Sequence, residues 1–482
     1  MERHLSFEEV QKQWGKARYD IGHIVSSVQN NVKRAPFTWA VLDDDPTGVQ
    51  SVHDIPVYTR WDRESLNEAL SGDRKMFYIL TNSRGLTKEE TTVLHKELME
   101  NLLAEAKKLG REIQVISRSD STLRGHFPLE TDLIGDAYEA HTGKAADGLI
   151  MAPFFEAGGR YTIDNVHYVR MGDDLVPAAE TEFAKDATFG YKFSDLPSYV
   201  EEKTDGRVRK EDVISIPLAL LRAGDTDAVT AILKKAQKGQ VIIINALESS
   251  DLDVFAAALY PALAAGKRFL YRTAADFVRA VGGISVRPLL TREDLLPGVL
   301  AGAPGVIVVG SHTKKTTAQL EKLKEVPGLD FIPFDSDKVL TDGLSAEADR
   351  VAAEVERDLA CGRTAVFFTK RQELILHDDT PEEALRRSVA ISEALVSVIS
   401  KLSKKPAYIV AKGGITSSDV GTKALSVRRA LVLGQAGPGI PVWRCGEESR
   451  FPGIPYVIFP GNVGSEESLA DVVRCLQGGR KD

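Results

Sequence analysis

Residues Ile113–His126 read IQVISRSDSTLRGH, in which a short apolar run is followed at once by hydroxyl, acidic and basic side chains. The run Ile113–Ile116 has the continuous apolar, β-branched character of a strand that is buried on both faces. The polar residues after it add nothing to a core, and in open parallel sheets ligands bind at the carboxyl ends of the strands. This stretch therefore predicts a parallel sheet with a ligand site at one edge.

Two further strand patterns end in the same kind of polar cluster. Thr38–Leu42 is followed by Asp43–Gly48, which reads DDDPTG, and Phe77–Leu80 is followed by Thr81–Arg84, which reads TNSR. A guanidinium group can grip a carboxylate with two parallel hydrogen bonds, and hydroxyl and carboxylate groups can bond to sugar hydroxyls. The three clusters together suit a small, polar, anionic ligand such as a sugar acid.

Each cluster also has a simpler interpretation as a local turn. Asp-Pro-Thr-Gly is favourable turn chemistry, and adjacent carboxylates are tolerated when they are solvated, bonded to backbone N–H groups, or neutralised by Mg²⁺ or an arginine. Ser119 or Asp120 could instead cap a short helix. His126 alone is weak support for a catalytic base, since a single histidine is more often a structural hydrogen-bonding group.

Short apolar strands alternate with helical patterns through most of the chain, which predicts an α/β fold with mainly parallel sheets flanked by helices. The predicted strands are Thr38–Leu42, Phe77–Leu80, Ile113–Ile116, Gly148–Ala152, Val213–Ile216, Val241–Asn245, Phe269–Arg272, Val306–Val309, Phe331–Phe334, Ala365–Thr369, Tyr408–Ala411, Ala430–Val432 and Tyr456–Phe459. The clearest predicted helices are Lys88–Leu109, Thr226–Lys238, Thr316–Glu325, Ala346–Leu359 and Pro381–Leu402.

The stretch Val281–Gly298, which mixes glycine, proline and charge, separates the first seven predicted strands from the last six. We therefore predict two domains, residues 1–290 and 291–482, each with its own mainly parallel sheet. The less regular stretch Phe154–Ser198 is predicted to be a long loop, and loops of that length inside a domain are usually functional, often as lids.

Three predicted strands of the second domain end in glycine-containing turns. The turns read GSHT at Gly310–Thr313, KGGITSSD at Lys412–Asp419 and PGNVGS at Pro460–Ser465. Glycine lets backbone amides approach a ligand closely and helix N-termini attract anions, so the three turns predict a cradle for a polyphosphate. The sequence has no GxxxxGK[ST] motif and no GxGxxG after a first strand, which excludes a P-loop NTPase and weakens a dinucleotide-binding interpretation. Lys412, at a strand end, could reach phosphates or could be an ordinary exposed lysine.

The net charge of −8 argues against a nucleic-acid partner or an anionic membrane surface. Three cysteines without a CxxC pair indicate a reducing compartment, and the histidines form no HExxH motif, so a zinc site is not expected. Residues Met1–Asp20 are charged and lack the apolar core of a signal peptide, and the apolar runs are too short to span a bilayer. We expect a cytoplasmic protein with small-molecule partners.

Taken together, these motifs resemble the four-carbon acid sugar kinases, a family long known only as a domain of unknown function. The resemblance extends over about residues 37–475, and the block Asp120–His126 is its most specific part. The matching elements are Leu42–Gly48, Thr81–Arg84, Arg118–His126, Val309–Ser311, Lys412–Ser417 and Pro460–Gly464.

The resemblance implies that the N-terminal half binds a sugar acid, that the C-terminal half binds ATP, and that the active site lies in the interdomain cleft. It implies an ATP-dependent kinase, working with Mg²⁺, that phosphorylates the terminal hydroxyl of threonate, erythronate or an oxo-tetronate. The substrate-binding residues that it implies are Asp44, Arg84, Asp120, Ser121, Thr122 and Arg124, with Asp44 or Asp45 as the catalytic base. The ATP-binding residues that it implies are Ser311, Gly413, Gly414, Ile415, Thr416, Gly461, Asn462 and Gly464.

The chain departs from the family pattern in two ways. An N-terminal helix over Phe7 to about Asn30 and the Phe154–Ser198 stretch are expected additions, and they leave the substrate open. Ile415, Thr416 and Ser417 stand where relatives often carry an acidic residue, which leaves the Mg²⁺ ligands open. Alternatives are a kinase of a branched acid such as 3-oxo-isoapionate, a nicotinamide-dependent sugar-acid reductase, and a non-catalytic sugar-acid sensor. A homodimer is compatible with each.

Overall fold

The computed structural model describes residues 3–15, 17, 19–372, 374, 376, 380–461 and 463–478. The chain divides into two compact units. Unit 1 comprises Met1–Val52 and Arg60–Val286, and unit 2 comprises His53–Thr59 and Arg287–Asp482. Unit 2 therefore takes one short segment from early in the chain in addition to the C-terminal part.

The strands, in chain order, are β1 (Leu5–Ser6), β2 (Phe37–Asp43), β3 (Pro56–Tyr58), β4 (Met76–Leu80), β5 (Glu112–Arg118), β6 (Gly148–Ala152), β7 (Arg160–Ile163), β8 (Val166–Met171), β9 (Asp174–Pro177), β10 (Ile214–Ile216), β11 (Gln240–Ile244), β12 (Phe269–Thr273), β13 (Val306–Val309), β14 (Leu329–Phe334), β15 (Thr364–Thr369), β16 (Ile409–Lys412), β17 (Arg429–Gly437), β18 (Ile440–Cys445) and β19 (Pro455–Phe459).

The α-helices, in chain order, are α1 (Phe7–Trp14), α2 (Ile21–Arg34), α3 (Arg63–Ser71), α4 (Lys88–Lys108), α5 (Leu129–Thr142), α6 (Leu196–Lys203), α7 (Leu218–Arg222), α8 (Thr226–Lys235), α9 (Ser249–Ala264), α10 (Ala275–Val281), α11 (Arg292–Leu295), α12 (Lys314–Leu323), α13 (Leu344–Ala360), α14 (Pro381–Lys401), α15 (Gly414–Asp419) and α16 (Ser468–Gln477).

The main sheet of unit 1 is parallel, with strands in the order β10-β11-β6-β12-β5-β2-β4. Every residue of β2, β4 and β6 is buried, as expected for strands that helices cover on both faces. The three strands with polar sequences at their carboxyl ends, β5, β2 and β4, are direct neighbours. Their register places Asp43 opposite both Arg118 and Leu80, so the three polar clusters begin at the same level of the sheet.

The stretch Phe154–Ser198 is not the irregular loop that its composition predicted. Strands β7, β8 and β9 form an antiparallel sheet there, and β1 adds the fourth strand along β9. Tyr191 from this stretch and Tyr199 from the adjoining α6 pack in one apolar cluster with Leu123 and Phe127, which follow β5. Strands β7–β9 and the residues up to Ser198 thus form a folded platform beside the polar turn after β5. These strands were not predicted, because they are too short to show a long alternation of apolar and polar residues.

The sheet of unit 2 has the order β3-β17-β18-β19-β16-β13-β15-β14. Strands β19, β16, β13, β15 and β14 pair in parallel, whereas β3, β17 and β18 pair antiparallel. The strands that end in the glycine turns, β19, β16 and β13, are neighbours at the centre of the sheet. Strand β17 continues past the predicted end at Val432 to Gly437, through two register shifts, before a tight connection to β18.

Each of the thirteen predicted strands is present, and the predicted α/β class is confirmed. The predicted N-terminal helix is wrong in one respect, because the chain forms two helices, α1 and α2, there. Helix α1 ends at Trp14, and α2 begins at Ile21. Gly15 directly follows α1, and its φ of +60° does not continue a helix. Within the described part of the chain, no helix is long and apolar enough to cross a membrane.

Candidate functional site

One guanidinium group, that of Arg84, contacts carboxylates from two of the polar clusters. It bonds Asp44 in a bidentate manner, with Nη2 at 2.6 Å and Nε at 3.1 Å from the two carboxylate oxygens. Its Nη1 lies 3.3 Å from Asp45 and 3.9 Å from Asp120. The ends of β2, β4 and β5 therefore meet in a single charged network, as the sequence predicted for their position at the sheet edge.

Asp44 lies inside this network and is only 3% exposed. Ser119 donates a hydrogen bond to its Oδ2 at 2.6 Å, and Arg118 lies 3.4 Å from its Oδ1. Burial by itself raises the pKa of Asp44, but the positive charges of Arg84 and Arg118 outweigh burial and lower the pKa below its ordinary value. Asp44 is thus an ionised carboxylate whose oxygens are already engaged by protein groups.

Asp45 is the most accessible carboxylate of the network, with a side chain 21% exposed against 2% for Asp44 and 11% for Asp120. Its Oδ1 accepts hydrogen bonds from the Thr47 backbone N–H at 2.8 Å and from the Thr47 hydroxyl at 2.5 Å. Within the part of the chain that the structure describes, its Oδ2 contacts only Arg84, as given above. This oxygen can therefore reach a ligand without leaving its place in the turn.

Asp120, Thr122 and Arg124 form a second small group after β5. Arg124 Nε lies 2.7 Å from Asp120 Oδ2, and the Thr122 hydroxyl donates to the same oxygen. Burial raises the pKa of Asp120, but Arg84 and Arg124 reverse this and hold the pKa far below its ordinary value. Ser121, also expected in the site, is half-buried between these residues.

The turn that carries this group is held from behind by the Phe154–Ser198 segment and α6. His167 Nε2 donates to the Ser121 carbonyl oxygen at 2.7 Å, and the Tyr191 and Tyr199 hydroxyls donate to the carbonyls of Thr122 and Leu123, each at 2.9 Å. These bonds fix a left-handed residue, Leu123, whose φ is +70°. None of the three donors was identified from the sequence, because each comes from a distant, irregular-looking segment.

A second layer of charged groups lies beneath the network. Arg118 pairs with Asp43, and its Nη2 donates to the Asp45 carbonyl oxygen at 2.7 Å. Arg272, at the end of β12, donates to the Arg124 carbonyl oxygen at 2.9 Å and lies 3.3 Å from Glu130. Arg272 was not among the site residues predicted from the sequence, although its position at the end of the predicted strand Phe269–Arg272 was the available signal.

Two glycines leave the space that the side chains of Arg118 and Ser119 occupy. A Cβ at Gly48 would lie 1.9 Å from the Arg118 guanidinium carbon, and a Cβ at Gly125, whose φ is +111°, would lie 2.7 Å from Ser119 Oγ. His126 is structural, as its isolated position suggested, because its Nε2 donates to the backbone carbonyls of Ser83 and Leu86.

In unit 2, the turns after β13, β16 and β19 converge on Ser311. The Ser311 Oγ accepts a hydrogen bond from Thr316 at 3.0 Å, and a Cβ at Gly461 would lie 3.7 Å from the same oxygen. Gly413 has a φ of +124°, and a Cβ there would lie 3.3 Å from the Ser311 backbone nitrogen. The glycine turns after β16 and β19 thus approach Ser311 without intervening side chains, an arrangement that is compatible with a phosphate cradle.

The remaining predicted residues of unit 2 lie in these turns. Thr416 is buried and its Oγ1 would collide with a Cβ at Gly310, at 2.1 Å. Gly414 begins α15, and Ile415 beside it is 74% exposed. Gly464 has a φ of +85° and precedes α16. Asn462 lies outside the described residues.

Lys412 supports the cradle from below. Its side chain is fully buried, and Nζ donates to the carbonyl oxygens of Pro460 and Gly461, at 2.5 and 3.0 Å, while lying 4.3 Å from the centre of the Phe459 ring. Burial, with a smaller contribution from Lys315, lowers the pKa of Lys412 to about 7. The amine therefore fixes the turn after β19 instead of extending into solvent.

A parallel sheet edge lined with carboxylates and arginines, and a second sheet edge lined with glycine turns, define a protein with one polar-ligand domain and one nucleotide domain. Residues 39–281 match the model of a sugar-binding N-terminal domain, and residues 306–469 match that of a nucleotide-binding C-terminal domain. The chain belongs to the family that these two domains define, the four-carbon acid sugar kinase family. No curated protein sequence matches the chain.

Two solved structures share the fold. A Salmonella typhimurium LT2 protein, provisionally described as a tRNA synthase, is 16% identical with a TM-score of 0.63, over 91% of this chain and 98% of that chain. The Haemophilus influenzae protein HI1011, assigned to DUF1537, is 18% identical with a TM-score of 0.59, over 91% of this chain and 100% of that chain. At these identities the likeness establishes the fold alone.

Replacing Tyr199 with phenylalanine tests how the turn after β5 is held. The Tyr199→Phe change leaves the buried Leu123 carbonyl without its donor, and we expect a loss of about 1–2 kcal/mol in the free energy of unfolding. Tyr271→Phe is the matched control, because the Tyr271 hydroxyl is buried without a protein partner among the described residues. Urea denaturation should show no loss for the control. Equal losses for both variants would contradict the role assigned to Tyr199.

The Lys412 amine should make stability depend on pH in a defined direction. The folded protein releases this proton near pH 7, whereas an unfolded lysine holds it to about pH 10.4, so the unfolded state binds more protons between these values. The free energy of unfolding should therefore rise with pH in this window more steeply for the wild type than for Lys412→Met, by at most about 1.4 kcal/mol per pH unit.

The control for this measurement is Lys423→Met, since the Lys423 side chain is 56% exposed. Its pH profile in denaturant titrations should follow that of the wild type. Parallel profiles for the wild type and Lys412→Met would show that Lys412 keeps an ordinary pKa in the folded protein.

Proposed function

We propose that this protein is an ATP-dependent kinase that phosphorylates the terminal hydroxyl of a four-carbon sugar acid. The observation that carries the proposal is the Arg84 network, in which one guanidinium gathers Asp44, Asp45 and Asp120 from the ends of neighbouring parallel strands. Such a set of fixed carboxylates and hydroxyls suits a small polyol. It lies in the domain that matches the sugar-binding model, and the chain also carries a nucleotide-binding domain.

Asp45 is the residue that we assign as the general base. Its Oδ2 has a single protein contact and is partly exposed, so it can accept a hydrogen bond from the substrate hydroxyl and take its proton as the phosphoryl group arrives. Asp44 is a poorer candidate, because Arg84, Arg118 and Ser119 already engage it. We assign Asp44 the role of positioning Arg84.

The nucleotide assignment rests on the shape of the cradle around Ser311. A side chain at Gly413 would crowd the Ser311 backbone nitrogen, and Gly461 also lies beside Ser311, which leaves amides and a hydroxyl for phosphate oxygens. The exposed Ile415 side chain supplies apolar surface beside it. In this proposal, Ser311 and the glycine turns bind the triphosphate of ATP, and Ile415 contacts the adenosine.

Mg²⁺ would arrive with the nucleotide in this proposal. Among the described residues, no group of three or more histidine, cysteine or carboxylate side chains has the arrangement of a metal site. Mg²⁺ bound to ATP usually keeps several waters and takes only one or two protein carboxylates, so it would need no dedicated cluster of acidic side chains. When bound, the ion would neutralise charge on the phosphate groups during transfer.

The substrate range that we propose is threonate, erythronate and the oxo-tetronates, with a branched acid such as 3-oxo-isoapionate as the alternative. Each has a carboxylate and at least two hydroxyls, of which at least one is primary, and the site offers partners for these groups. Coupled measurement of ADP release across a panel of these acids is the direct test. A reductase or a non-catalytic sensor would release no ADP in a substrate-dependent manner, and that result would end the proposal.

Asp45→Asn separates the base from its neighbour Asp44. We expect kcat to fall about 100-fold or more, since general-base catalysis contributes on that scale, while ATP affinity and melting temperature stay close to wild type. Asp44→Asn should instead lower the melting temperature, because Arg84 and Arg118 lose a buried partner. For both variants, turnover is measured by ADP release, ATP affinity by nucleotide titration and melting temperature by thermal denaturation. Wild-type turnover in Asp45→Asn would exclude Asp45 as the base.

A further inference from the structure

Arg160, the first residue of β7, carries a charge that the protein leaves unmatched. Its Nε atom is buried without a hydrogen-bond partner, and no carboxylate of the described residues forms an ion pair with it. Burial lowers the pKa of Arg160, the carboxylate of Asp120 opposes this without forming an ion pair, and the neighbouring charge of Arg124 acts in the same direction as burial. Burying part of a guanidinium group without a hydrogen-bond partner lowers the stability of the protein, which suggests that Arg160 has a partner outside the protein.

The surroundings of Arg160 place it beside the sugar-acid site. Its guanidinium carbon lies 5.5 Å from the centre of the Phe183 ring, and that of Arg124 lies 5.2 Å from the same ring. Arg124 is bonded to Asp120, which belongs to the Arg84 network. Arg160 therefore extends the candidate site by one cation on the side of the antiparallel sheet.

Groups that could have neutralised Arg160 are occupied or uncharged. Asp120 accepts bonds from Arg124 and Thr122. His167 is fully buried and donates to the Ser121 carbonyl, and burial, reinforced by the positive charge of Arg160, lowers the pKa of His167 to about 4. An imidazole with this pKa is neutral at physiological pH and offers no charge of either sign.

The Arg84 network makes a separate carboxylate clamp necessary. The forked face of Arg84 is filled by Asp44, so Arg84 cannot also hold a substrate carboxylate with two bonds. We infer that Arg160, with Arg124 on the shared Phe183 ring, binds the carboxylate of the sugar acid and so selects acids over neutral polyols. This inference rests on the proposed function and assigns the substrate's charged end within it.

The test compares Arg160→Met and Arg160→Lys with a matched control, Arg170→Met. Arg170 lies on β8 of the same antiparallel sheet, but its guanidinium stacks on Phe7 at 4.0 Å and donates to the Gly172 carbonyl. Steady-state ADP release with threonate or erythronate gives KM and kcat, threitol and erythritol serve as analogues without a carboxylate, and thermal denaturation is followed with and without each ligand.

We expect Arg160→Met to raise KM for the acid about 10- to 100-fold, the range for a lost hydrogen bond to a charged group, with kcat and the KM for ATP within about threefold of wild type. Kinetics with the neutral polyols should not change. Arg160→Lys should restore part of the affinity, and Arg170→Met should behave as wild type. Without ligand, Arg160→Met should melt at or above the wild-type temperature, because it removes an unmatched charge.

Three results would overturn the inference: an acid KM within twofold of wild type in Arg160→Met, a rise in the KM for ATP in place of the acid KM, or a clear fall in melting temperature without ligand. If the wild type releases no ADP with any acid, the proposed kinase activity fails by itself. Carboxylate binding is then judged from the rise in melting temperature that the acid causes, a measurement that needs no turnover. The wild type should show this rise, and Arg160→Met should lack it.

Discussion

The bidentate ion pair between Arg84 and Asp44 is the interaction on which the candidate sugar-acid site depends. Asp44 is buried, and a buried carboxylate is stable only when paired and hydrogen-bonded, so Arg84, Arg118 and Ser119 must surround it. This arrangement holds the ends of three strands together. It also leaves one carboxylate oxygen of Asp45 partly free. Rigidity at Asp44 and access at Asp45 are two results of the same pairing.

Much of this could be predicted from the sequence, for a physical reason. Strands of a parallel sheet buried on both faces are continuous apolar runs, so β2, β4 and β5 stood out, and polar residues at their ends had to lie at one edge. The individual roles of those residues could not be predicted. Whether Arg84 faces a ligand or Asp44 depends on side-chain distances that the sequence does not contain.

The parts that sequence reasoning missed come from the antiparallel platform and from the second half of unit 2. Strands β7–β9 are short and lack long alternation, and β17 contains glycines that resemble a turn. His167 and Tyr191 reach the turn after β5, and Arg160 shares the Phe183 ring with Arg124, only because that platform folds beside the turn. A ligand contact made by a segment outside the main sheet has no local signature in the sequence.

Strand β3 has a consequence for how the polypeptide is made. It lies early in the chain, yet its partner is β17, and the Thr59 hydroxyl bonds the Val427 carbonyl across 368 residues. During synthesis from the N-terminus, β3 emerges from the ribosome long before β17, its neighbour in the sheet of unit 2, exists. The sheet of unit 2 can be completed only when nearly the whole polypeptide is available, so a C-terminal fragment starting at Arg287 would leave β17 with an unpaired edge.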